Sequence, residues 1–228
     1  MPYDFKKEED VREFLENLGI EYRFECFKEK KPDGCQRLGD YLEAIKKDFV
    51  RACKVYKNNC DDNAHGKSCL KYANYRLIGK GSTEDKAEAH RYYLKGCEAG
   101  CAKACFGVGL GLTAKEGESG VARDVDQGLA FFSRACDMGS PDGCYFASSL
   151  FITGTDLPRD MRRAFRFAER ACELKNMQAC TNVALMYERG QGVQKDPAQA
   201  KRYRELVADY EEQLKQSRGI EMEQGIKD

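Results

Sequence analysis

Cysteine is the residue type in this sequence with the greatest capacity for chemistry. The chain has 12 cysteines among 228 residues, and thiols can form disulfides, bind soft metals or act as nucleophiles. Such a density favours either a metal protein or an oxidising compartment. Ten of the cysteines form five pairs whose members are eight or nine positions apart: Cys26/Cys35, Cys60/Cys69, Cys97/Cys105, Cys136/Cys144 and Cys172/Cys180.

The pairs recur at a regular period. Successive second cysteines are 34, 36, 39 and 36 positions apart, which is typical of stacked structural repeats. A small residue follows every second cysteine by four positions, and such residues let helices approach closely. These positions are Gly39, Ala73, Gly109, Ser148 and Ala184.

Each repeat is predicted to consist of two helices. Helix A runs from the second cysteine to a glycine turn, as at Gly79, Gly154 and Gly190, because glycine favours the left-handed cap. Helix B starts at a capping residue, for which Ser82 with Asp85 and Asp196 before Pro197 are candidates. Helix B then ends at the first cysteine of the next pair. The apolar stripe of the second repeat reads Ile45, Phe49, Ala52, Tyr56 and Cys60, and extra loop residues at 116–121 explain the 39-residue step.

These elements predict an all-α, right-handed α/α solenoid stapled by disulfides, in one domain over residues 1–228. An N-terminal helix is expected from Glu8 to Leu18, and a polar capping helix from Pro197 to Ser217. The units are approximately 8–33, 34–67, 68–103, 104–142, 143–178 and 179–217, followed by a frayed tail at 218–228.

The cysteine pairs are predicted to be structural disulfides. Each pair brackets a turn between helices, where the two Cα atoms come within disulfide range. Such a bridge restricts the unfolded chain by about 2.5–3 kcal/mol. Redox sites favour Cys-x-x-Cys and structural zinc sites favour two to four intervening residues, whereas these pairs have seven or eight.

Cys53 and Cys101 remain as candidate free thiols. Cys53 lies beside the apolar stripe of a helix, as a small buried hydrophobic residue would. Cys101 lies midway between Cys97 and Cys105, so it is either an exposed free thiol or a competitor for that bridge. Redox exchange or a soft-metal contact would involve one of these two residues.

Other candidate chemistry is weaker. Ser68 and Lys71 match the Ser-x-x-Lys motif of penicillin-binding enzymes, but the companion motifs are missing and Cys69 is predicted to be bridged. His65 is expected to be solvated in a turn and His90 to lie on an outer helix face. Either histidine could bind haem iron or copper, but we predict no catalytic residue, metal or cofactor.

Charge and hydropathy argue against nucleic acid and membranes as binding partners. Lysine plus arginine number 38 and aspartate plus glutamate also 38, so no net field attracts nucleic acid or an anionic membrane. The longest weakly polar stretch, 107–114, is too short to span a bilayer. We therefore expect a monomer that binds proteins, with no nucleic acid and no membrane span.

The repeat pattern resembles SEL-one-like repeats, relatives of the tetratricopeptide repeat. It is clearest from Val183 to Tyr203, through Gly190-Gln-Gly192. Two families combine such repeats with paired cysteines. One is a group of secreted bacterial cysteine-rich proteins, some reported to bind or hydrolyse β-lactams. The other comprises mitochondrial cytochrome c oxidase (complex IV) assembly factors, and the segment 29–43 with Cys26 and Cys35 is similar to their opening segment.

The second resemblance implies a non-catalytic assembly factor in the mitochondrial intermembrane space, whose partners belong to the respiratory-chain assembly machinery. Residues 1–10 match neither a secretory signal nor a basic presequence. We therefore expect import through the disulfide relay, with the aromatic segment around Cys26 as its docking site. The alternatives are a thiol–disulfide oxidoreductase using Cys53 or Cys101, a haem- or copper-handling factor in the same compartment, and a secreted β-lactam hydrolase using Ser68.

Overall fold

The fold is entirely helical. A computed structural model describes residues 3–223, and over this range it contains eleven α-helices and no strand. The predicted all-α class is therefore confirmed. The helices form two compact units, the first ending at Asp124 and the second beginning at Val125.

The first unit holds six helices, and each packs on the next along the chain. Short turns make neighbouring helices antiparallel. Ala52, Ala73 and Ala89 are completely buried between them. Gly39 faces the Tyr56 ring so closely that any side chain there would collide with it. The helices are α1 Glu8–Phe27, α2 Pro32–Ala44, α3 Phe49–Asn63, α4 Gly66–Ile78, α5 Lys86–Glu98 and α6 Ala102–Thr113.

The second unit holds the other five helices, again with each packed on the next. Its core combines large apolar residues such as Phe151, Phe165 and Val183 with the buried alanines Ala164 and Ala168. Small residues on one helix admit large ones from the next, as the repeat pattern predicts. The helices are α7 Val125–Asp137, α8 Pro141–Thr153, α9 Met161–Glu173, α10 Met177–Arg189 and α11 Pro197–Glu223.

The predicted turns are confirmed, with one change of cap. Gly79, Gly154 and Gly190 end their helices with φ of 68°, 64° and 69°, the left-handed region that glycine adopts without strain. Asp196 caps α11 as expected and accepts the N–H of Ala198 at 2.9 Å. Helix α5 is capped by Asp85, which accepts the N–H of Glu88 at 2.8 Å, and not by Ser82.

Helix α1 is longer than the sequence predicted, since it continues past Leu18 to Phe27. Gly19 follows the predicted end, but it lies inside the helix and packs against Tyr41. The ring atom Cε1 of Tyr41 is 2.6 Å from where a Cβ at Gly19 would be. This glycine therefore serves close packing of two helices and does not end one.

Two other boundaries differ from the prediction. Ile45 forms the C-terminal cap of α2 and is 44% exposed, so the buried stripe of α3 starts at Phe49. Helix α11 continues beyond residue 217 to Glu223, and residues 224–228 of the predicted tail lie outside the described residues. No helix in the described part of the chain has both the length and the apolar character needed to cross a membrane.

Candidate functional site

The five cysteine pairs are joined by disulfides in the structure, in the pairing that the spacing predicts. Both members of every pair are buried. The first lies near the end of one helix and the second in the first turn or two of the next, so each bridge closes one turn. The Cα–Cα distances are 4.4 Å for Cys26–Cys35, 4.8 Å for Cys60–Cys69, 4.5 Å for Cys97–Cys105, and 4.6 Å for both Cys136–Cys144 and Cys172–Cys180.

Glycines beside the cysteines allow this close approach. A Cβ at Gly96 would lie 2.8 Å from the Cβ of Ala104, and one at Gly143 would lie 2.7 Å from the Cβ of Ala135. Atoms cannot approach so closely, so a side chain at either glycine would push the two helices apart. The small residues and the cysteine pairs are thus parts of one packing arrangement.

A buried polar cluster accompanies the Cys60–Cys69 bridge. Asn59 donates hydrogen bonds to the carbonyl oxygen of Pro32 at 2.9 Å and to Ser68 Oγ at 2.7 Å. His65 caps α4 by accepting the N–H of Ser68 at 3.3 Å. Only 16% of the His65 side chain is exposed, so the expectation of a solvated histidine is wrong, because sequence spacing did not reveal the capping role.

Ser68 occupies the centre of that cluster. Its side chain is completely buried, and its hydroxyl donates to Gln36 Oε1 at 2.7 Å. Lys71 does not activate it, since its ammonium binds the carboxylate of Glu43 at 2.8 Å. A buried hydroxyl with these partners packs the fold, and this geometry argues against the Ser-x-x-Lys hydrolase hypothesis.

His90 lies inside the first unit and not on an outer helix face, which corrects the expectation. It is 8% exposed, and its Nδ1 lies 2.7 Å from where a Cβ at Gly111 would be. The absent side chain at Gly111 therefore makes room for the ring. Burial lowers the pKa of His90 and favours the neutral imidazole. Among the described residues, no three His, Cys, Asp or Glu side chains are grouped so as to hold a metal ion.

The two remaining cysteines lie in different environments. Cys53 is 5% exposed on α3, and burial raises the pKa of its thiol. Cys101 is partly exposed at the N-terminal cap position of α6, within the turn that Cys97–Cys105 closes. Thiolate is the reactive form of cysteine, so burial makes Cys53 unreactive in two ways: it shields the thiol and it disfavours ionisation.

Carboxylates that each bind two lysines connect the helices of the first unit. Glu43 binds Lys71 and Lys80, each at 2.8 Å. Burial alone would raise the pKa of Glu43, but the hydrogen bonds from these lysines outweigh it and lower the pKa to about 2. Asp61 likewise binds Lys57 at 2.7 Å and Lys95 at 2.6 Å. Each of these four lysines is thus ion-paired within the unit.

An open groove lies between α1, α2 and α3, with a volume of about 840 Å³. Its floor contains the Cys26–Cys35 disulfide, Leu38 and Leu42. Basic side chains line its rim, namely Arg23, Lys30, Arg51 and Lys54. Such a concave surface, apolar at the base and charged at the edge, is suited to binding a partner.

No sequence pattern marks this groove. Arg23 and Lys54 are 31 positions apart, and no motif relates them. The one signal in the sequence is the aromatic residue Phe27 beside Cys26, which belongs to the segment predicted to dock on the import relay. Finding the groove required knowing that α1 continues to Phe27.

Comparison with known protein families identifies the repeat. The model of the Sel1 repeat matches residues 66–101, 102–140, 141–176 and 178–206. The helix pairs and cysteine-closed turns described above fall within these matches and continue before them. The predicted SEL-one-like repeats are therefore confirmed.

Solved structures support the same fold. A Sel1 repeat protein from Oxalobacter formigenes superposes with a TM-score of 0.64 at 26% identity, over 75% of this chain and 68% of that one. A protective antigen of uropathogenic Escherichia coli with the SLR fold gives a TM-score of 0.75 at 21% identity. That match covers 90% of this chain and 44% of the antigen, and it bears on the fold alone.

Curated relatives show which group of Sel1-repeat proteins this chain resembles. The Drosophila melanogaster cytochrome c oxidase assembly factor 7 homolog is 45% identical over 157 residues, which are 68% of this chain. This match spans 59% of the fly protein's length. Human cytochrome c oxidase assembly factor 7 is 43% identical over 66% of this chain and 67% of its own length. The chain therefore belongs to the Sel1-repeat proteins and, among them, to the cytochrome c oxidase assembly factor 7 family.

Proposed function

We propose that this chain is a non-catalytic assembly factor for cytochrome c oxidase, which acts as a monomer by holding a partner protein or maturation intermediate. The observation that carries the proposal is the 45% and 43% identity to the fly and human proteins named for that role. Sel1-type repeats present extended surfaces suited to protein binding, and the groove between α1, α2 and α3 is one such surface.

The proposed compartment is the mitochondrial intermembrane space. Five buried disulfides require an oxidising environment in which to form. The thiols of a mesophile's cytosol are kept reduced, so the pairs favour an oxidising space in or outside the cell. The relatives are named for the assembly of cytochrome c oxidase, a respiratory-chain complex. Among the compartments next to that complex, the intermembrane space is the one in which disulfides form.

Import is proposed to depend on the disulfide relay of that compartment. Cys26 lies beside Phe24 and Phe27, which are 56% and 62% exposed, so the aromatic segment is accessible at the surface. Mitochondria depleted of the relay should import less of the full chain, while a matrix protein with a basic presequence enters normally. Equal import of the chain into depleted and normal mitochondria would remove this part of the proposal.

Complementation tests the function itself. The full chain is expressed in human cells that lack cytochrome c oxidase assembly factor 7, and assembled complex IV is measured on native gels together with oxygen consumption. The proposal predicts recovery of both. The Oxalobacter Sel1 repeat protein, targeted to the same compartment, is the control for the fold alone and should restore neither. Absence of recovery with an imported, oxidised chain would contradict the proposed function.

The same assay separates a scaffold from a thiol–disulfide oxidoreductase. Cys101 is the partly exposed free thiol, so an exchange reaction would depend on it. A scaffold predicts that Cys101→Ala and Cys53→Ala rescue complex IV as well as the unchanged chain does. Loss of rescue by Cys101→Ala, with all five disulfides intact by mass spectrometry, would favour the oxidoreductase.

A further inference from the structure

One complete face of α3 borders the groove. The lining residues of this helix are Arg51, Lys54, Val55, Asn58, Asn59, Asp62 and Asn63. These positions repeat every three or four residues, so they form a continuous stripe along the helix. From Arg51 to Asn63 the stripe is roughly 18 Å long at 1.5 Å per residue. The groove thus has a binding surface about three helical turns in length.

The opposite wall and the floor of the groove are apolar in part. Cys26, Cys35, Leu38 and Leu42 form the floor and are at most 7% exposed. Phe27 stands at the edge of the groove with 62% of its surface exposed. An exposed phenylalanine next to a concave apolar floor would gain from burial by a partner.

The charges that line the groove are unbalanced, with four basic residues and one acidic residue. Nearby ion pairs join Lys31 to Glu29, Arg37 to Glu25 and Arg51 to Asp48. No described carboxylate pairs with Arg23, Lys30 or Lys54, and Asp62 is the one acidic residue in the lining.

By contrast, Lys57, Lys71, Lys80 and Lys95 are all bound to carboxylates. The groove is therefore a local positive surface on a chain whose formal net charge is zero.

We propose that this groove binds an acidic, amphipathic helical segment of a partner protein. A helix of about three turns matches the length of the α3 stripe, and its apolar face would cover the exposed ring of Phe27 above the apolar floor. Glutamates or aspartates along its flank would pair with Arg23 and Lys54. This is the helix-in-groove mode of recognition, in which apolar anchors supply affinity and flanking charges fix orientation. The inference rests on the proposed function only for the identity of the partner.

Binding of defined peptides to the purified, oxidised full chain tests the proposal. The probe is a fluorescein-labelled helical peptide of about 14 residues, close to the groove in length, with leucines on one face and glutamates beside them. Its counterpart carries lysines in place of the glutamates. The glutamate peptide should bind about ten-fold more tightly than the lysine peptide, and its binding should weaken as salt is raised.

Charge reversals locate the site. Arg23→Glu with Lys54→Glu should weaken binding of the glutamate peptide about ten-fold. Lys67→Glu with Lys103→Glu is the matched control, because both lysines are exposed in the same unit but lie outside the groove. The control pair changes the net charge equally and should leave affinity within about two-fold. Phe27→Ser should weaken binding of the glutamate peptide without altering the salt dependence of that binding.

Three results would overturn the inference. Equal loss of binding in the two double variants would mean that net charge, and not the groove, attracts the peptide. Binding to anionic phospholipid vesicles but not to the peptide would assign the surface to a membrane. A dimer in sedimentation that Arg23→Glu with Lys54→Glu dissociates would assign it to a second copy of the chain.

Complementation of complex IV assembly distinguishes a failure of the groove inference from a failure of the proposed function. If the unchanged chain and the Arg23→Glu/Lys54→Glu variant both restore complex IV, the groove is not the partner site, although the function stands. If only the unchanged chain restores it, both are supported. If neither restores complex IV, the proposed function fails, and the peptide measurements alone decide whether the groove binds an acidic helix.

Discussion

The side-chain amide of Asn59 donates a hydrogen bond to Ser68 Oγ at 2.7 Å, across the turn that the Cys60–Cys69 disulfide closes. The same amide donates to the carbonyl oxygen of Pro32 at 2.9 Å. One buried side chain therefore links α3 to the first turn of α2 and to the first turn of α4. Covalent and polar links act together at this point of the first unit.

Replacing Asn59 should weaken the fold. In Asn59→Ala the carbonyl of Pro32 and the hydroxyl of Ser68 lose a buried partner, which costs about 1–3 kcal/mol. The free energy of unfolding, measured by urea denaturation of the oxidised protein, should fall by that amount. Asn58→Ala is the control, because Asn58 is exposed on the same helix. Alanine has a higher helix propensity than asparagine, so Asn58→Ala should not destabilise the protein, and equal destabilisation by the two variants would contradict the role of the buried links.

Removing one disulfide should also cost stability. Cys136→Ala with Cys144→Ala opens a loop closed by residues eight positions apart, and the chain-entropy model gives a loss of about 2–3 kcal/mol. Differential scanning calorimetry and urea denaturation would measure it. Cys101→Ala removes a partly exposed thiol outside any bridge and should change stability by less than about 0.5 kcal/mol. A stable double variant would mean that packing alone holds this turn.

The free thiols should differ in reactivity. Iodoacetamide should modify Cys101 in the native protein and leave Cys53 intact, because burial shields Cys53 and raises its pKa. Peptide mass spectrometry after timed quenching gives both rates. In urea the two rates should converge, since unfolding removes the burial. Similar rates in the native protein would be inconsistent with the buried position of Cys53.

Loss of folding stability in acid should depend partly on protonation of Glu43. Its folded pKa is about 2, below the ordinary value of 4.5, so the folded state favours the carboxylate. The resulting stability is present above the unfolded pKa and is lost as the pH falls from about 4.5 toward 2. Glu43→Gln should therefore flatten the loss of stability in this window, measured by urea denaturation at several pH values. Glu98→Gln, at an exposed position, should leave the profile unchanged; flattening by both would point to net charge.

Local spacing was sufficient to predict that pairs of helices alternate with turns and which turns the cysteine pairs span, although not where α1 and α11 end. Cys97 and Cys105 are eight positions apart across one turn, and a turn that reverses direction must bring such residues together. Glycines at the ends of helix A were equally informative, because their left-handed conformation is a property of a single residue. These features depend on interactions within ten residues of the chain.

Features that depend on distant residues could not be predicted in this way. Gly19 suits a helix end until Tyr41 is seen to pack against it. His90 suits an outer face until Gly111 is seen to leave room for its ring. The groove joins Arg23 to Lys54 across two intervening turns. In each case the deciding neighbour is more than 20 positions away, beyond the reach of helical periodicity.

The short span of every bridge has a consequence for biosynthesis. Each disulfide joins residues eight or nine positions apart, so a segment of one helix end, one turn and one helix start contains both partners. Closing such small loops is entropically cheap and fast compared with joining remote parts of a chain. Under the import proposed above, the chain would be oxidised one hairpin at a time as it crosses the membrane, from its first pair to its last. Each bridge would then fix one folded turn on the far side of the membrane and so oppose the return of the segments that had already entered.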